Sequence, residues 1–408
     1  MVVNGVVGAG IFVMPATVAS LLGPASPLAY LIAGAAAVLI ALSFAEAGSI
    51  FERAGGPYIY AREAFGRFAG FEVGWMFLLG RLTGAAAIAN AFAAYLGYFH
   101  PEFATARGRA AAITGSMGVI AAFNYFGVRY GAWIVNLLTI GKLLPLAVFI
   151  AAGLFAADPD GFSFAAIPEF TPLRNASLIL LFALGGFEFA SVPSEEVIDS
   201  RRHLPVALIS GLAASVMIYM LVQIVCLGTL PGLAAEATPI ATAARRFLGP
   251  IGATLMTIGA ILSTTGTNST VLLVGPRILY ALAEHGQLPR IFGRVHPRYR
   301  TPHIAVVVFA AAAVALALSG AFAELAALNA IARLLYSITT CAAVPVLRRR
   351  IPAGERLFTL PGGWLIPALG IAASLFLLSG VTRSQALIGG AGVLAGALLY
   401  ALAPAVRR

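Results

Sequence analysis

Twelve stretches of apolar residues, each near the length of a membrane-crossing helix, leave this chain few ways to fold. A helix needs about 20 apolar residues to cross a hydrocarbon core of about 30 Å. The runs fall at roughly 1–22, 28–50, 68–98, 110–127, 131–156, 173–192, 204–230, 250–284, 303–320, 323–346, 363–381 and 386–404, and are numbered 1 to 12 below. They are continuous rather than alternating, so helices are expected and barrel strands are not. Of the 408 residues 60% are hydrophobic and 10% are charged, whereas a soluble chain carries about 25% charged residues. Polar groups cannot cover such a surface. Lipid is the expected solvent, and the fold class is an all-α polytopic membrane protein with twelve transmembrane helices.

The net charge of +10 would point to nucleic acid in a soluble protein. Here the charges sit in short loops and act as topology signals. With the N-terminus placed inside, the inner loops carry 16 arginines and the outer loops 6. That bias predicts both termini in the cytoplasm and a multi-pass protein of the plasma (inner) membrane. Run 1 reaches its glycines after a few residues, so either the chain starts upstream or its first half-helix is short. A basic n-region and an A-x-A site are missing, so a cleaved leader is not expected.

Cys226 and Cys341 lie inside apolar runs, and the five histidines are scattered. Neither a disulfide framework nor a metal site is expected. Gly141-Lys142 lacks the Ser or Thr and the leading strand of a phosphate loop. No nucleophile–base set is evident, so an enzyme is not expected, and no cofactor is implied.

Two runs are interrupted. Run 1 reads NGVVGAGIFVMPA, with Gly5, Gly8 and Gly10 close together; run 6 reads LLFALGGFEFASVP, with Gly185 and Gly186 adjacent. Glycine costs roughly 1 kcal/mol against alanine inside a helix, but it lets backbone unwind and approach a ligand. The runs stand five apart, and an odd number of helices per half inverts the second half. Paired breaks in inverted halves mark a transporter binding site, because unwound backbone survives at that depth only where it lines a cavity or is buried in protein. Half-helix N-termini offer amides to a carboxylate, and free carbonyls suit an ammonium. An amino acid carries both. Small-residue packing between helices is the plainer account of a single such cluster; two at equivalent positions favour a site.

The segments GAGIFVMPA, AEAGSIFERAGGPYIYAREAFG, GKLLPL, GGFEFASVPSEEV and GPRILYALAEHGQLP, in this order from run 1 to run 8, resemble the amino acid–polyamine–organocation (APC) permeases. The likeness extends to run 10. It implies the LeuT/APC-type fold: a first repeat over 1–156, an inverted second repeat over 173–346, and two accessory helices over 363–404. It implies secondary transport of amino acids by alternating access. Carried over by resemblance, the substrate carboxylate meets amides near Gly8, Ala9 and Gly10. Its amino group meets carbonyls near Val6, Phe182 and Gly185, with Gly186 completing the break, and Phe182 is an aromatic gate. Ala9 stands where family members often have Ser or Thr, which removes one side-chain hydrogen bond.

Lys142 in run 5 is the chain's single lysine among 26 basic residues. A charge at mid-membrane costs about 2.5–3.5 kcal/mol on insertion scales. It therefore needs partners: run 1 carbonyls near Gly5 and Gly8, and Ser263 and Thr264 of run 8. Lys142 resembles the lysine that, in some proton-coupled or uncoupled relatives, fills the space a sodium ion occupies in others. Unlike arginine it can lose its proton, so it is the candidate coupling group; a fixed cation standing in for sodium is the alternative. Glu188, just past the run 6 break, belongs to a proton route, an inner gate or a fixed ion pair. Arg81 and Arg333 are pathway charges, expected to pair with Glu188, with carbonyls or with an acidic substrate. Asn90 and Asn329 read as interhelical hydrogen-bond groups, and Glu46 as an anchor for the following loop.

The resulting expectation is proton-coupled uptake of a neutral amino acid. Phe182, the glycines and an alanine-rich run 3 favour a neutral side chain; the two arginines keep an acidic one open and weigh against a cationic one. The alternatives are an exchanger with a static Lys142 and, from another class, a channel or transceptor. The expected partners are the amino acid, protons and the bilayer, and nucleic acid is not among them.

Overall fold

The computed structural model describes residues 6–51, 56–127, 132–163, 168–189, 200–351, 358–360 and 362–402. All regular structure among them is helical. In chain order the helices are α1 (Gly10–Leu22), α2 (Ser26–Ile50), α3 (Pro57–Phe65), α4 (Arg67–Phe99), α5 (Ala106–Tyr125), α6 (Ala132–Ala156) and α7 (Phe170–Ala183). They continue with α8 (Ser200–Thr229), α9 (Pro239–Glu284), α10 (His303–Ser319), α11 (Phe322–Arg350), α12 (Leu365–Leu378) and α13 (Arg383–Leu402).

Each apolar run overlaps one of these helices. Six stretches among the described residues are long and apolar enough to cross a membrane: Gly10–Ile50, Arg67–Phe99, Val206–Thr229, Pro239–Glu284, Phe322–Arg350 and Arg383–Leu402. Helices Ile140–Ala156, Phe170–Ala183, His303–Ser319 and Leu365–Leu378 are apolar but shorter.

Local chemistry sets the helix ends. Pro27 and Pro57 open α2 and α3, where a missing N–H costs nothing. The Thr105 side chain accepts from the Gly108 amide at 3.1 Å and starts α5. Glu324 accepts from the Ala321 amide at the start of α11, and Arg348, Arg349 and Arg350 close its last turn, each charge opposing the helix dipole. Residues 239–248, read from the sequence as outer loop, are helical. Pro239 begins them, and Ile240, Ala241, Ala243 and Ala244 are buried. Gly249 (φ 66°) and Pro250 then kink α9 into its long second part.

Helix α4 is central; it packs on α3, α5, α9, α10, α11 and α13. Helices α2 and α8 pack together, as do α1 and α7, and α6 and α9. The crossings use small residues: a Cβ on Gly34 would press on Val216 at 2.8 Å, and one on Gly141 would meet Leu262 at 3.0 Å. The outer helices turn large apolar side chains outward, among them Leu387, Leu394, Leu398 and Leu402 of α13, a surface suited to lipid.

Candidate functional site: a cavity between two interrupted helices

Both glycine clusters break their helices. Val7–Ala9 form bends, and α1 begins at Gly10 with Ala9 as its N-cap and no side-chain cap. Helix α7 stops at Ala183. Leu184–Gly186 leave the helix, and Phe187–Phe189 make one 3-10 turn. Gly186 has φ 111°, a conformation that costs a side-chain-bearing residue dearly. Gly5 and residues 190–199, which hold the rest of run 6, lie outside the described residues. The breaks sit side by side because Gly10 lets α1 touch α7; a Cβ there would lie 2.7 Å from that of Ala183.

Between the breaks is a cavity, ≈ 480 Å³ of empty space counted to its open mouth. Val6, Gly8, Ala9 and Gly10 line it from the first break, and Phe182, Gly185 and Gly186 from the second. Helix α4 adds Gly80, Arg81, Gly84 and Ile88, α9 adds Thr267 and Val271, and α11 adds Asn329 and Arg333. All seven residues expected to bind substrate are thus brought together. Thr267, Gly80 and Gly84 were not foreseen. The spacing of Gly80, Gly84 and Ile88 at i, i+4 and i+8 on one face of run 3 carried that information.

Backbone groups at the first break are partly committed. The Val6 carbonyl accepts from the Gly8 amide at 2.8 Å and from the Tyr219 hydroxyl at 3.2 Å; Tyr219 also donates to the Ala183 carbonyl at 3.0 Å. The Val6 carbonyl, expected to serve an ammonium group, thus already receives two donors, and a buried tyrosine from α8 ties the two breaks together. The Phe182 carbonyl accepts from the Gly185 amide at 3.3 Å. The Ala9 carbonyl takes the Phe12 amide at 3.2 Å, and Gly10, the first residue of α1, lines the cavity.

Below the breaks lies a buried charge cluster. Glu188 Oε1 receives Arg81 Nη2 at 3.0 Å, Arg333 Nη2 at 3.4 Å and the Tyr336 hydroxyl at 3.1 Å. Its Oε2 accepts from the Gly186 amide at 2.9 Å. Arg81 also stands over the Phe77 ring at 4.5 Å. Of the roles open to Glu188, the ion pair is the one this geometry displays. Phe44 packs edge-on against Phe187, Tyr60 and Tyr336, forming an aromatic layer against the cluster. Asn329 donates to the Gly80 carbonyl, and Asn90 to the Ala317 carbonyl. Glu46 holds Arg348 of α11 and the Leu360 amide, so it anchors a distant helix end rather than the loop that follows it.

On the other side of the cavity Phe182 meets Phe322 edge-on, ring centroids 5.6 Å apart. Beyond this pair a second cavity opens among Val13, Ala16, Thr17, Asn90, Ala94, Glu236 and Phe322. Two rings therefore part the two cavities.

Lys142 is buried and donates to the Val7 carbonyl at 2.6 Å. Val7 stands between the two glycines whose carbonyls were expected. Ser263 and Thr264 do not join this contact, which corrects the expectation for α9. Thr264 donates to the Ala260 and Ile261 carbonyls of its own helix, the usual alternative for a helical hydroxyl, and Ser263 Oγ meets no partner. Gly141 and Gly259 bring α6 and α9 close, since a Cβ on Gly259 would lie 3.6 Å from the Gly141 carbonyl.

A family model described as amino acid permease matches residues 1–396. The serine/threonine exchanger SteT of Bacillus subtilis is 30% identical over 414 residues, covering 97% of this chain and 92% of that one. The branched-chain amino acid permease BcaP of the same organism is 27% identical, covering 92% and 85%. The cationic amino acid transporter 4 of Mus musculus is 28% identical, over 75% of this chain and 52% of that one.

Proposed function

Since the chain belongs to the amino acid permease family, whose members matched here are transporters and not enzymes, we propose that it carries an amino acid across the membrane by alternating access. The single observation that carries this reading is the cavity between the two helix breaks. It holds an unpartnered acceptor, Asn329 Oδ1, and it opens onto the amide end of α1. A zwitterion has a group for each. The substrate carboxylate sits at the Ala9 and Gly10 amides, and its ammonium faces Asn329 and the Phe182 and Gly185 carbonyls.

The helix pairings support a five-plus-five inverted repeat with two further helices. Exchanging each run for the one five places away (1 with 6, through 5 with 10) turns the pairs run 3–run 10, run 2–run 10 and run 3–run 4 into run 8–run 5, run 7–run 5 and run 8–run 9. Both members of each couple pack together. In this frame the membrane is crossed twelve times, with both termini in the cytoplasm of a cell whose plasma membrane holds the protein.

Lys142 is the coupling group. When protonated it clamps Val7, and with it the first break, to α6. Loss of the proton on the inner side frees that break for opening. Substrate then moves with a proton. The likeness to a serine/threonine exchanger favours a second reading, in which Lys142 stays charged and transport is strict exchange. Uptake of a labelled amino acid panel into proteoliposomes tests both. Accumulation driven by an imposed pH gradient into empty vesicles supports symport, uptake that needs an internal amino acid supports exchange, and uptake of no amino acid refutes the proposal. A channel or transceptor reading would need flux without saturation or no flux at all.

A further inference from the structure

Arg333 is buried at 7% exposure and lines the cavity. Its Nη2 lies 3.4 Å from Glu188, while its Nε and Nη1 meet no hydrogen-bond acceptor. The guanidinium fills the space that a side chain at residue 185 would occupy, since a Cβ on Gly185 would overlap it. The sequence thus places glycine at the second break where the arginine enters the site. Glu188 cannot serve the remaining donors well: one oxygen already takes Arg81, Arg333 and Tyr336, and the other takes the Gly186 amide. Among the described cavity-lining and adjoining residues, two buried arginines face one buried carboxylate.

A buried charged donor without an acceptor is costly, and a ligand that supplies one recovers that cost. A carboxylate accepts charge-assisted bonds from guanidinium N–H groups, and these are roughly twice as strong as neutral ones. A cationic side chain would be repelled, and an apolar one would leave Nε and Nη1 unpaired. Sites built to bond a polar group reject analogues that lack it far more strongly than they reject a change in size. Resting on the amino acid transport reading above, we propose that Arg333 is the residue that sets specificity, and that the substrate is an amino acid with a carboxylate side chain. The α-carboxylate occupies the amides of α1, and the side-chain carboxylate pairs with Arg333.

The test is uptake and competition with the full chain in proteoliposomes, using L-aspartate, L-glutamate, L-glutamine, L-leucine and L-arginine. The expected result is a kcat/KM for an acidic amino acid at least tenfold above those of the other three. In Arg333→Gln that preference, read as the ratio of kcat/KM for the acidic amino acid to kcat/KM for L-glutamine, falls at least tenfold, and Arg333→Lys, which keeps the charge without the planar guanidinium, lies between. Transport of neutral substrates with no transport of, or competition by, the acidic ones overturns the assignment and leaves amino acid transport standing. A parallel loss of every substrate in Arg333→Gln, with a wild-type melting temperature, also overturns it, because the arginine then serves the α-carboxylate common to all. Failure to take up any amino acid overturns both readings. The wild-type panel decides the matter even if the variants do not fold.

Discussion

The Nζ of Lys142 lies 2.6 Å from the carbonyl oxygen of Val7, and so joins the middle of α6 to the bend that precedes α1. The bond links residues 135 positions apart. It secures a carbonyl at a helix break, where the intrahelical ladder supplies no partner.

If this contact couples proton and substrate, Lys142→Ala loses gradient-driven accumulation at least tenfold and keeps counterflow of labelled against unlabelled substrate. Lys142→Arg fails in both, because a guanidinium is larger and stays charged. Proteoliposomes with an imposed pH gradient give the readout. Accumulation by Lys142→Ala against a gradient would exclude coupling through this residue.

Glu188 is the shared counter-charge of Arg81 and Arg333. Removing one member of a buried ion pair costs about 3–5 kcal/mol, because the other charge is left uncompensated. Glu188→Gln is therefore expected to lower the melting temperature in detergent markedly. The double variant Glu188→Gln/Arg81→Met recovers part of the loss. Equal melting temperatures for Glu188→Gln and wild type would show that the cluster adds nothing to stability.

Glycines at the site differ sharply from glycines outside it. In Gly10→Ala the new Cβ lies 2.7 Å from that of Ala183 and 2.8 Å from its Cα, so α1 and α7 must part. Uptake is expected to fall at least tenfold. Gly118→Ala on α5 meets nothing within 4 Å and gains helix propensity of up to about 1 kcal/mol. It is expected to retain wild-type uptake. A similar response of the two variants would refute the close-approach argument.

Phe182 lines one cavity and Phe322 the other, and their rings meet edge-on between them. A cysteine introduced by Thr267→Cys sits in the inner cavity, and Cys226 and Cys341 are buried. Adding Phe322→Ala is expected to raise its labelling by an impermeant thiol reagent several-fold, with substrate protecting it. Unchanged labelling would mean that these rings do not limit access.

Much of the architecture was legible because lipid leaves a segment few choices. An apolar run of sufficient length must satisfy its own backbone, so runs 1 to 12 foretell helices without knowledge of their neighbours. The breaks at Gly8–Gly10 and Gly185–Gly186 were legible for a related reason: adjacent glycines weaken the one structure such a run can otherwise adopt. From those two facts follow the cavity residues at the two breaks, and not those that α4, α9 and α11 contribute.

Tertiary structure alone decided who pairs with whom. Tyr219 donates to the Val6 carbonyl from 213 positions away. Thr264 turns back onto its own helix rather than to Lys142, and Glu46 reaches Arg348 across 302 positions. Hydrogen bonds act over a few ångströms, and the sequence holds no record of which atoms from distant runs come within that reach. The order of apolar and glycine residues determined where the chain crosses and where it breaks. The packing of one helix on another determined which buried charge is answered and which, at Arg333, keeps two buried donors unpaired.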